Sequence, residues 1–315
     1  MGAYILRRLI MLIPVMLIVG IVVFMLVHIT PGDPAAVMLG DRATGEQIDQ
    51  LRQAMGLDEP LPVQFVDWFS HALRLDFGDS FFLDMPVTQA LRERAQPTLL
   101  LTSYALFFEI IIGVPAGVIA AIKRNSILDR ALMVLSIAGA AIPTFFLGIV
   151  LILIFAVRLK WVPSGGYVPI QEDPAAHFKS MILPAFTLGF SAAGLLARLV
   201  RSSMLDVMRD DYIRTAMAKG LKFRKVITGH ALRNALIPAV TVVGYSLGAL
   251  LGGAVVTETV FTIPGMGRLV VQSIARRDYP LIQGAVMLTA AIYVLVNLLV
   301  DILYVYIDPR IRYGS

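Results

Sequence analysis

The stretch DYIRTAMAKGLKFRKVITGHALRNALIP, residues 211–238, is polar and basic, although long apolar runs flank it on both sides. Of the 315 residues, 57% are hydrophobic and only 16% are charged, whereas about a quarter of the residues in a soluble domain are charged. This composition is typical of an integral membrane protein. The segment 211–238 is therefore predicted to be a water-exposed connection between two membrane-spanning helices.

Six apolar segments are long enough to span a bilayer, because a transmembrane helix needs roughly 20 apolar residues. They are approximately residues 9–29, 98–122, 131–157, 181–200, 236–256 and 281–307. The first follows Arg7 and Arg8, as a signal peptide would, but its apolar run is longer than that of a signal peptide. A proline-interrupted sequence also follows it where a cleavage site would lie. We therefore expect it to be a retained anchor.

Lys and Arg residues predict which side each loop faces, because cytoplasmic loops carry an excess of them. A cytoplasmic N-terminus places most of them inside: Arg7, Arg8, Lys123, Arg124, Arg130, those from Arg198 through the segment 211–238, Arg310 and Arg312. The loop 30–97, which is rich in Asp and Glu, then lies on the opposite side. Both termini and the segment 211–238 are therefore predicted to be cytoplasmic.

This topology predicts an all-α integral membrane protein. Its parts are an N-terminal transmembrane helix (1–30), an extracytoplasmic loop (31–97), a five-helix core (98–307) with a cytoplasmic loop at 201–235 and an outer loop at 257–280, and a cytoplasmic tail (308–315). In the long loop, TGEQIDQLRQAMGL and PVQFVDWFSHALRL repeat apolar residues at helical spacing. They predict two short amphipathic helices that cap the membrane surface, dock an external partner, or do both.

Two features inside the predicted spans leave alternatives open. Gly244, Gly248 and Gly252 recur every fourth residue, so small residues lie along one face of the helix. That face either packs within the chain, or meets another subunit or lines a path. Glu109 lies near the middle of its helix and either pairs within the bundle or faces an aqueous path. Glu258 lies near the end of its span, where we expect the interface to hydrate it.

Several kinds of site are missing from the sequence. It has no cysteine, and its four histidines lie far apart without metal-binding spacing. It also lacks the GxxxxGK[ST] loop that binds nucleotide phosphates. We therefore expect no metal, no cofactor and no enzymatic active site in this chain.

The pattern within 211–238 predicts two short helices joined at Gly220, because glycine fits the left-handed residue that ends many helices. Apolar residues at helical spacing precede it at 213–221 and follow it at 223–231. Asp210 and Arg214 stand four apart, acid first, and favour a helical ion pair. A loop that only fixes topology needs no such elbow, whereas a protruding two-helix element suits a groove on a soluble partner.

At these residues the chain resembles permease subunits of ATP-binding-cassette importers, in the dipeptide, oligopeptide and nickel branch. The loop motif of that family is Glu-Ala-Ala, three residues, Gly, nine residues and Ile-x-Leu-Pro. Gly220 matches the glycine, and Ala216 is the identical residue within Arg214-Thr215-Ala216. The end, residues 234–238, keeps the motif in part. Residues 5–34, 75–101 (LDFGDSFFLDMPVTQALRERAQPTLLL) and 258–284 (ETVFTIPGMGRLVVQSIARRDYPLIQG) are also similar to the branch.

The resemblance implies the type I importer permease fold with six transmembrane helices, in a bacterial inner membrane. It implies a homologous second permease, two cytoplasmic subunits that bind ATP and magnesium, an extracytoplasmic solute-binding protein, and no nucleic acid. The segment 211–238 would be the coupling helix region. The resemblance assigns to coupling Tyr212, Arg214, Thr215, Ala216, Ala218, Lys219, Gly220 and Leu221, and to the end of the motif Asn234, Ile237 and Pro238.

The solute implied by the resemblance is a dipeptide or short oligopeptide, with nickel, an opine or glutathione as alternatives. A function of another class is a secondary transporter or channel that works alone, which would favour central acidic groups and duplicated halves. Glu109 is nearly alone at depth, and the sequence shows no internal repeat. A membrane scaffold without transport is a third reading. Co-purification with ATPases and solute-stimulated ATP hydrolysis would separate the three.

Overall fold

The computed structural model of the protein describes residues 2–29, 33–39, 43–54 and 56–307. Within these ranges the chain is helical and has no strand beyond an isolated bridge between Asp79 and Pro86. The α-helices are α1 (Gly2–Ile29), α2 (Pro34–Leu39), α3 (Gly45–Ala54), α4 (Leu61–Leu73), α5 (Val87–Ile122), α6 (Ile127–Ala141), α7 (Thr144–Leu151), α8 (Pro174–Val207), α9 (Asp211–Ala218), α10 (Phe223–Val226), α11 (Leu232–Val260), α12 (Met266–Arg276) and α13 (Tyr279–Ile307). The prediction of an all-α membrane fold is confirmed.

Among the described residues, five helical stretches are each long and apolar enough to cross a membrane, and a bent pair can form a sixth span. The five lie at Ile10–Ile29, Val87–Ile122, Pro174–Val207, Phe223–Val260 and Tyr279–Val300. The sixth is formed by α6 and the stretch from α7 through the π-helical turns Ile152–Arg158.

The third predicted span, 131–157, is wrong as a single helix. The chain bends by 106° between α6 and the stretch Thr144–Arg158. Pro143 lies at the bend and Ile142 before it is extended, with φ −75° and ψ 125°. A proline has no N–H to donate and disfavours helical dihedrals in the preceding residue, so the helix ends there.

Several helices are longer than their apolar segments predict. α5 begins at Val87 rather than at 98, and α8 covers Pro174–Val207 rather than 181–200. The start of α8 is fixed by Asp173, whose carboxylate accepts from the backbone N–H groups of Ala175 and Ala176 at 2.9 and 3.0 Å. Hydropathy detects only the stretch that is apolar enough for lipid, whereas hydrogen bonding and capping determine where the helix ends.

The two helices predicted in the long loop are confirmed as α3 and α4. Thr44 and Gln47 form a capping box at α3: the Thr44 N–H donates to Gln47 Oε1 at 2.9 Å and the Gln47 N–H donates to Thr44 Oγ1 at 3.4 Å. Met55, the last residue of the predicted α3 stripe, lies outside the described residues. α2 and α12 were not predicted from the sequence, and α12 lies in the loop assigned to 257–280.

The chain divides into two compact units. The first comprises residues up to Gln96 and Gly265–Leu295. Its buried cluster joins α5, α12 and α13 through Val87, Ala90, Leu91, Met266, Leu269, Leu281 and Ala285.

The second unit comprises Pro97–Pro264 and the residues from Val296 onward. It contains the candidate coupling segment. The predicted division at 30, 97 and 307 stays a prediction, and its tail 308–315 lies outside the described residues.

Within the second unit α8 packs tightly against α5 and α6. A Cβ added at Gly194 of α8 would lie 2.2 Å from the carbonyl oxygen of Ser136 in α6. A Cβ added at Gly117 of α5 would lie 2.5 Å from the carbonyl oxygen of Ala197 in α8. Only glycine allows such backbone approach, so these three helices pack as a group.

Candidate coupling segment and buried carboxylates

The segment 211–238 begins with α9, whose C-terminus is closed by Gly220. The N–H of Gly220 donates to the carbonyl of Met217 at 3.0 Å, and the N–H of Leu221 donates to that of Ala216 at 3.4 Å. This is the Schellman arrangement, which places its glycine in the left-handed region. Gly220 has φ +80° and no atom within 4 Å of an added Cβ. α10 then starts at Phe223, so the predicted elbow at Gly220 is confirmed. The second helix is not a separate short one, because helical turns continue from Phe223 to Val260.

One face of the segment is buried against the end of α8. Ile213 of α9 and Val226 of α10 belong to the same buried cluster as Val200 and Met204 of α8. The cluster also includes Ala121 at the end of α5. The segment is therefore held to the ends of two long helices by apolar contacts.

Three large side chains of the segment are exposed, Tyr212, Met217 and Phe223, and we call this set the outer patch. These side chains are 39%, 43% and 50% exposed. Met217 and Phe223 belong to the apolar repeats at 213–221 and 223–231, so these repeats include exposed as well as buried side chains. The buried side chains around them are the neighbours Ile213 and Val226.

A hydrogen bond joins the two ends of the segment: the side-chain amide of Asn234 donates to the hydroxyl of Tyr212 at 2.7 Å. The structure therefore brings together two residues that the loop motif separates. Ile237 lies further along α11. Pro238 lies inside α11, and the π-helical turns Ile227–Ala231 precede that helix. Since proline has no N–H, it leaves the carbonyl of Asn234 without its helical donor.

Ala216 and Leu221 are half-buried against the cluster that holds Ile213, whereas the remaining motif residues of α9 are exposed. Arg214 pairs with Asp211 at 3.5 Å, not with Asp210 as predicted. Their side chains are 72% and 97% exposed, so the pair contributes little to stability. Ala218 and Lys219 are also exposed. Thr215 donates from its hydroxyl to the carbonyl of Asp211 at 2.9 Å.

Glu109 pairs within the helical bundle in this structure. It is fully buried, and the Ser246 hydroxyl of α11 donates to its Oε1 at 2.7 Å. Its Oε2 has no hydrogen-bond partner among the described residues. The carboxyl group therefore links α5 to α11.

Ser246 also lies at the centre of GYSLG, residues 244–248, which matches the Gly-x-Ser-x-Gly pattern of serine hydrolases. In those enzymes the serine occupies a strained turn between a strand and a helix. Here it lies inside α11, and its hydroxyl donates to Glu109. The pattern is therefore not a nucleophile elbow.

Glu258 is fully buried, so the expectation that the membrane interface hydrates it is wrong. The hydroxyl of Thr98 in α5 donates to its Oε1 at 2.5 Å. A buried carboxylate needs such donors, because desolvation is costly when no donor replaces water.

The small face of α11 has two environments. A Cβ on Gly244 would lie 2.4 Å from a side-chain carbon of Val300 in α13, so this glycine packs within the chain. Gly248 is buried as well. Gly252 is exposed and has no atom within 4 Å of an added Cβ. The packing alternative therefore describes Gly244, and the face is open at Gly252.

No group of three His, Asp or Glu side chains in the described part of the chain could hold a metal ion.

Comparison with known proteins identifies the family. Residues 113–313 match the family described as the binding-protein-dependent transport system inner membrane component, and residues 1–102 match its N-terminal part. A probable peptide ABC transporter permease of Sinorhizobium fredii is 47% identical over 99% of this chain and 100% of its own length. A putative peptide transport system permease of Brucella abortus is 45% identical over 99% and 100%. A glutathione transport system permease of Salmonella choleraesuis is 45% identical over 98% and 99%.

The fold is shared with solved transporters. An inward-facing structure of the methionine ABC transporter MetNI aligns with a TM-score of 0.57 and 21% identity, over 70% of this chain and 97% of that one. Members of the family are transport components rather than enzymes, and act with a binding protein and ATP-binding subunits. The chain belongs to the family of binding-protein-dependent transport system inner membrane components and is a multi-pass inner-membrane permease subunit of an ABC transporter.

Proposed function

We propose that this permease forms, together with a homologous second permease, the membrane path for dipeptides or short oligopeptides. The observation that carries the peptide assignment is the end-to-end similarity to two proteins named as peptide permeases. A third relative is named for glutathione, which is itself a tripeptide. Nickel and opines are the alternatives within the same family.

The partner subunits divide the remaining tasks. Two cytoplasmic subunits bind ATP and magnesium, and an extracytoplasmic binding protein delivers the peptide. Both termini and the segment 211–238 face the cytoplasm in this arrangement, because the segment carries a concentration of Lys and Arg. The long loop with α3 and α4 then faces the binding protein.

The segment 211–238 couples ATP hydrolysis to transport. Its outer patch, Tyr212, Met217 and Phe223, offers apolar surface to a groove on an ATP-binding subunit. Its buried face contacts the ends of α5 and α8, and the segment continues directly into α11. When the ATP-binding subunits close, they displace the segment, and the helices attached to it open the path on the outer side.

Reconstitution of the four-subunit complex with its binding protein in liposomes tests this function. We expect ATP-dependent accumulation of labelled dipeptides or tripeptides and stimulation of ATP hydrolysis by the peptide-loaded binding protein. Glutathione and a nickel chelate, assayed in parallel, identify the solute within the family. Uptake by this chain without the ATP-binding subunits would instead support a secondary transporter.

A further inference from the structure

Arg201 of α8 and Asp129 of α6 form a two-pronged ion pair that is separate from the loop motif. Arg201 Nε donates to Asp129 Oδ1 at 2.7 Å and Arg201 Nη2 donates to Oδ2 at 2.8 Å. The side chains are 26% and 4% exposed, respectively. The planar guanidinium matches a carboxylate in this geometry, so the pair fixes orientation as well as distance.

The same carboxylate organises the turn between α5 and α6. The backbone N–H of Asn125 donates to Asp129 Oδ2 at 2.9 Å, and Asn125 has a left-handed φ of +64°. Ser126 caps α6 by accepting the N–H of Asp129 on its hydroxyl at 3.2 Å. The turn is thus folded around Asp129, and Arg201 attaches it to α8.

Burial of this pair is not needed to bring the helices together. α6 and α8 already approach at Ser136 and Gly194, where only a glycine fits. A buried ion pair also seldom stabilises a protein more than apolar residues of the same volume would. Stability therefore does not account for the precise geometry of the ion pair, and this geometry indicates a functional role.

The position of Arg201 connects it to the coupling segment. Val200 and Met204, on either side of it in α8, are fully buried in the cluster that holds Ile213 and Val226 of the segment. A displacement of the segment therefore reaches α8 at the turn of helix that carries Arg201. The same cluster contains Ala121 at the end of α5, and Asp129 extends this connection from α8 to the start of α6.

We propose that Asp129 and Arg201 are positioning residues for energy coupling, a role that rests on the proposed function of the segment 211–238. They form a clasp that holds the α5–α6 turn to the end of α8. Displacement of the coupling segment then moves α5, α6 and α8 as one body. Without the clasp, the turn and the start of α6 follow α8 less closely, and less peptide is transported for each ATP hydrolysed.

The first test measures peptide transported per ATP hydrolysed in the reconstituted complex. The variants are Arg201→Gln, Asp129→Asn and the double variant, and the control is Arg198→Gln, which removes the same charge from an exposed position of α8. We expect this ratio to fall at least about fivefold in both single variants. Assembly and basal ATP hydrolysis should persist, and the double variant should be no worse than either single one. The control should keep the reference ratio.

Two results of this test would overturn the clasp. One is a ratio in Arg201→Gln equal to that in Arg198→Gln. The other is a parallel loss of assembly, hydrolysis and uptake, which would indicate a merely structural role. Uptake by the reference complex tests the proposed function separately, because it does not depend on these variants.

The second test needs no solute. Because the chain contains no cysteine, spin labels can be placed at Arg124→Cys in the turn and Thr215→Cys in the segment, within the assembled complex. We expect one narrow distance distribution, unchanged between the nucleotide-free state and the state trapped with ATP and vanadate. Arg201→Gln should broaden it and Arg198→Gln should not. A distance that changes with nucleotide in the reference protein, or stays narrow in Arg201→Gln, would contradict the proposal.

Discussion

The side-chain amide of Asn234 donates a hydrogen bond to the Tyr212 hydroxyl at 2.7 Å, and this bond joins the end of the loop motif to its beginning. It connects α9 directly to the start of α11. Such a connection suits an element that transmits a displacement.

Removal of this hydrogen bond should weaken coupling without preventing folding. A hydrogen bond contributes about 1 kcal/mol, so we expect Tyr212→Phe and Asn234→Ala each to lower peptide uptake per ATP by a few-fold. Because both substitutions remove the same bond, the double variant should lose no more uptake per ATP than either single variant does. Thr228→Ala is the control, because its hydroxyl donates only to Arg224 in the preceding turn. Additive losses in the double variant would show that the two side chains act separately.

Gly220→Val should strain the elbow of the segment. A β-branched residue at φ +80° costs about 1–3 kcal/mol. We expect insertion into the membrane to persist while ATP-driven uptake falls, measured in whole cells and in liposomes. The control is Gly229→Ala, where an added Cβ meets no atom within 4 Å. Normal uptake by Gly220→Val would count against a coupling role for the segment.

The outer patch should bind the ATP-binding subunits. Since Phe223 and Met217 are exposed, Phe223→Ala and Met217→Ala should leave the unfolding temperature unchanged. A large apolar side chain in a partner's groove contributes about 2 kcal/mol or more, so we expect co-purification of the ATP-binding subunits to drop at least tenfold. Ile213→Ala is the contrasting variant, because this residue is buried and its truncation costs about 2–5 kcal/mol of folding stability. Undiminished co-purification from Phe223→Ala would exclude the patch as the contact.

Glu109 should contribute to stability rather than to solute passage. Ser246→Ala removes the donor to its Oε1 and leaves a buried oxygen without a partner, at a cost of about 1–3 kcal/mol. We expect Ser246→Ala to lower the unfolding temperature in detergent. Ser103→Ala should leave it unchanged, because the Ser103 hydroxyl donates to Leu99 in its own helix. Glu109→Gln should retain peptide uptake. Loss of uptake with unchanged stability in Glu109→Gln would instead place this residue on the path.

The predicted orientation can be checked with single cysteines, because the chain has none of its own. Glu46→Cys in α3 should react with a membrane-impermeant thiol reagent added outside the cells. Arg124→Cys should react only after the membrane is opened. Labelling of position 124 from outside would reverse the orientation on which the coupling proposal depends.

The elbow could be predicted from sequence because its cause is local. A glycine that follows a short apolar repeat is the signature of a left-handed helix terminus, and Gly220 adopts that conformation. The break at Pro143 also has a local signal, but a proline inside an apolar segment is compatible with either a kinked or a broken helix. Hydropathy does not distinguish the two.

Two other features depend on tertiary contacts and have no local signal. The partners Asp129 and Arg201 are separated by 72 residues, and only the packing of α6 on α8 brings them together. The outer patch could not be predicted for a different reason. α9 has only eight residues, and neighbouring apolar side chains such as Ala216 and Met217 are equally compatible with a buried or an exposed face. Burial against Val200 and Met204 selects Ile213 as the inner residue.

The most direct test of the coupling role is a photo-crosslink from Phe223 in the intact, ATP-hydrolysing complex. A photoreactive amino acid at this position should attach to an ATP-binding subunit, with a yield that changes between the nucleotide-free state and the state trapped with ATP and vanadate. The same residue at Phe82, in the unit that contains α3 and α4, should not attach to that subunit. Crosslinks from Phe223 to lipid alone, or to the extracytoplasmic binding protein, would contradict the account.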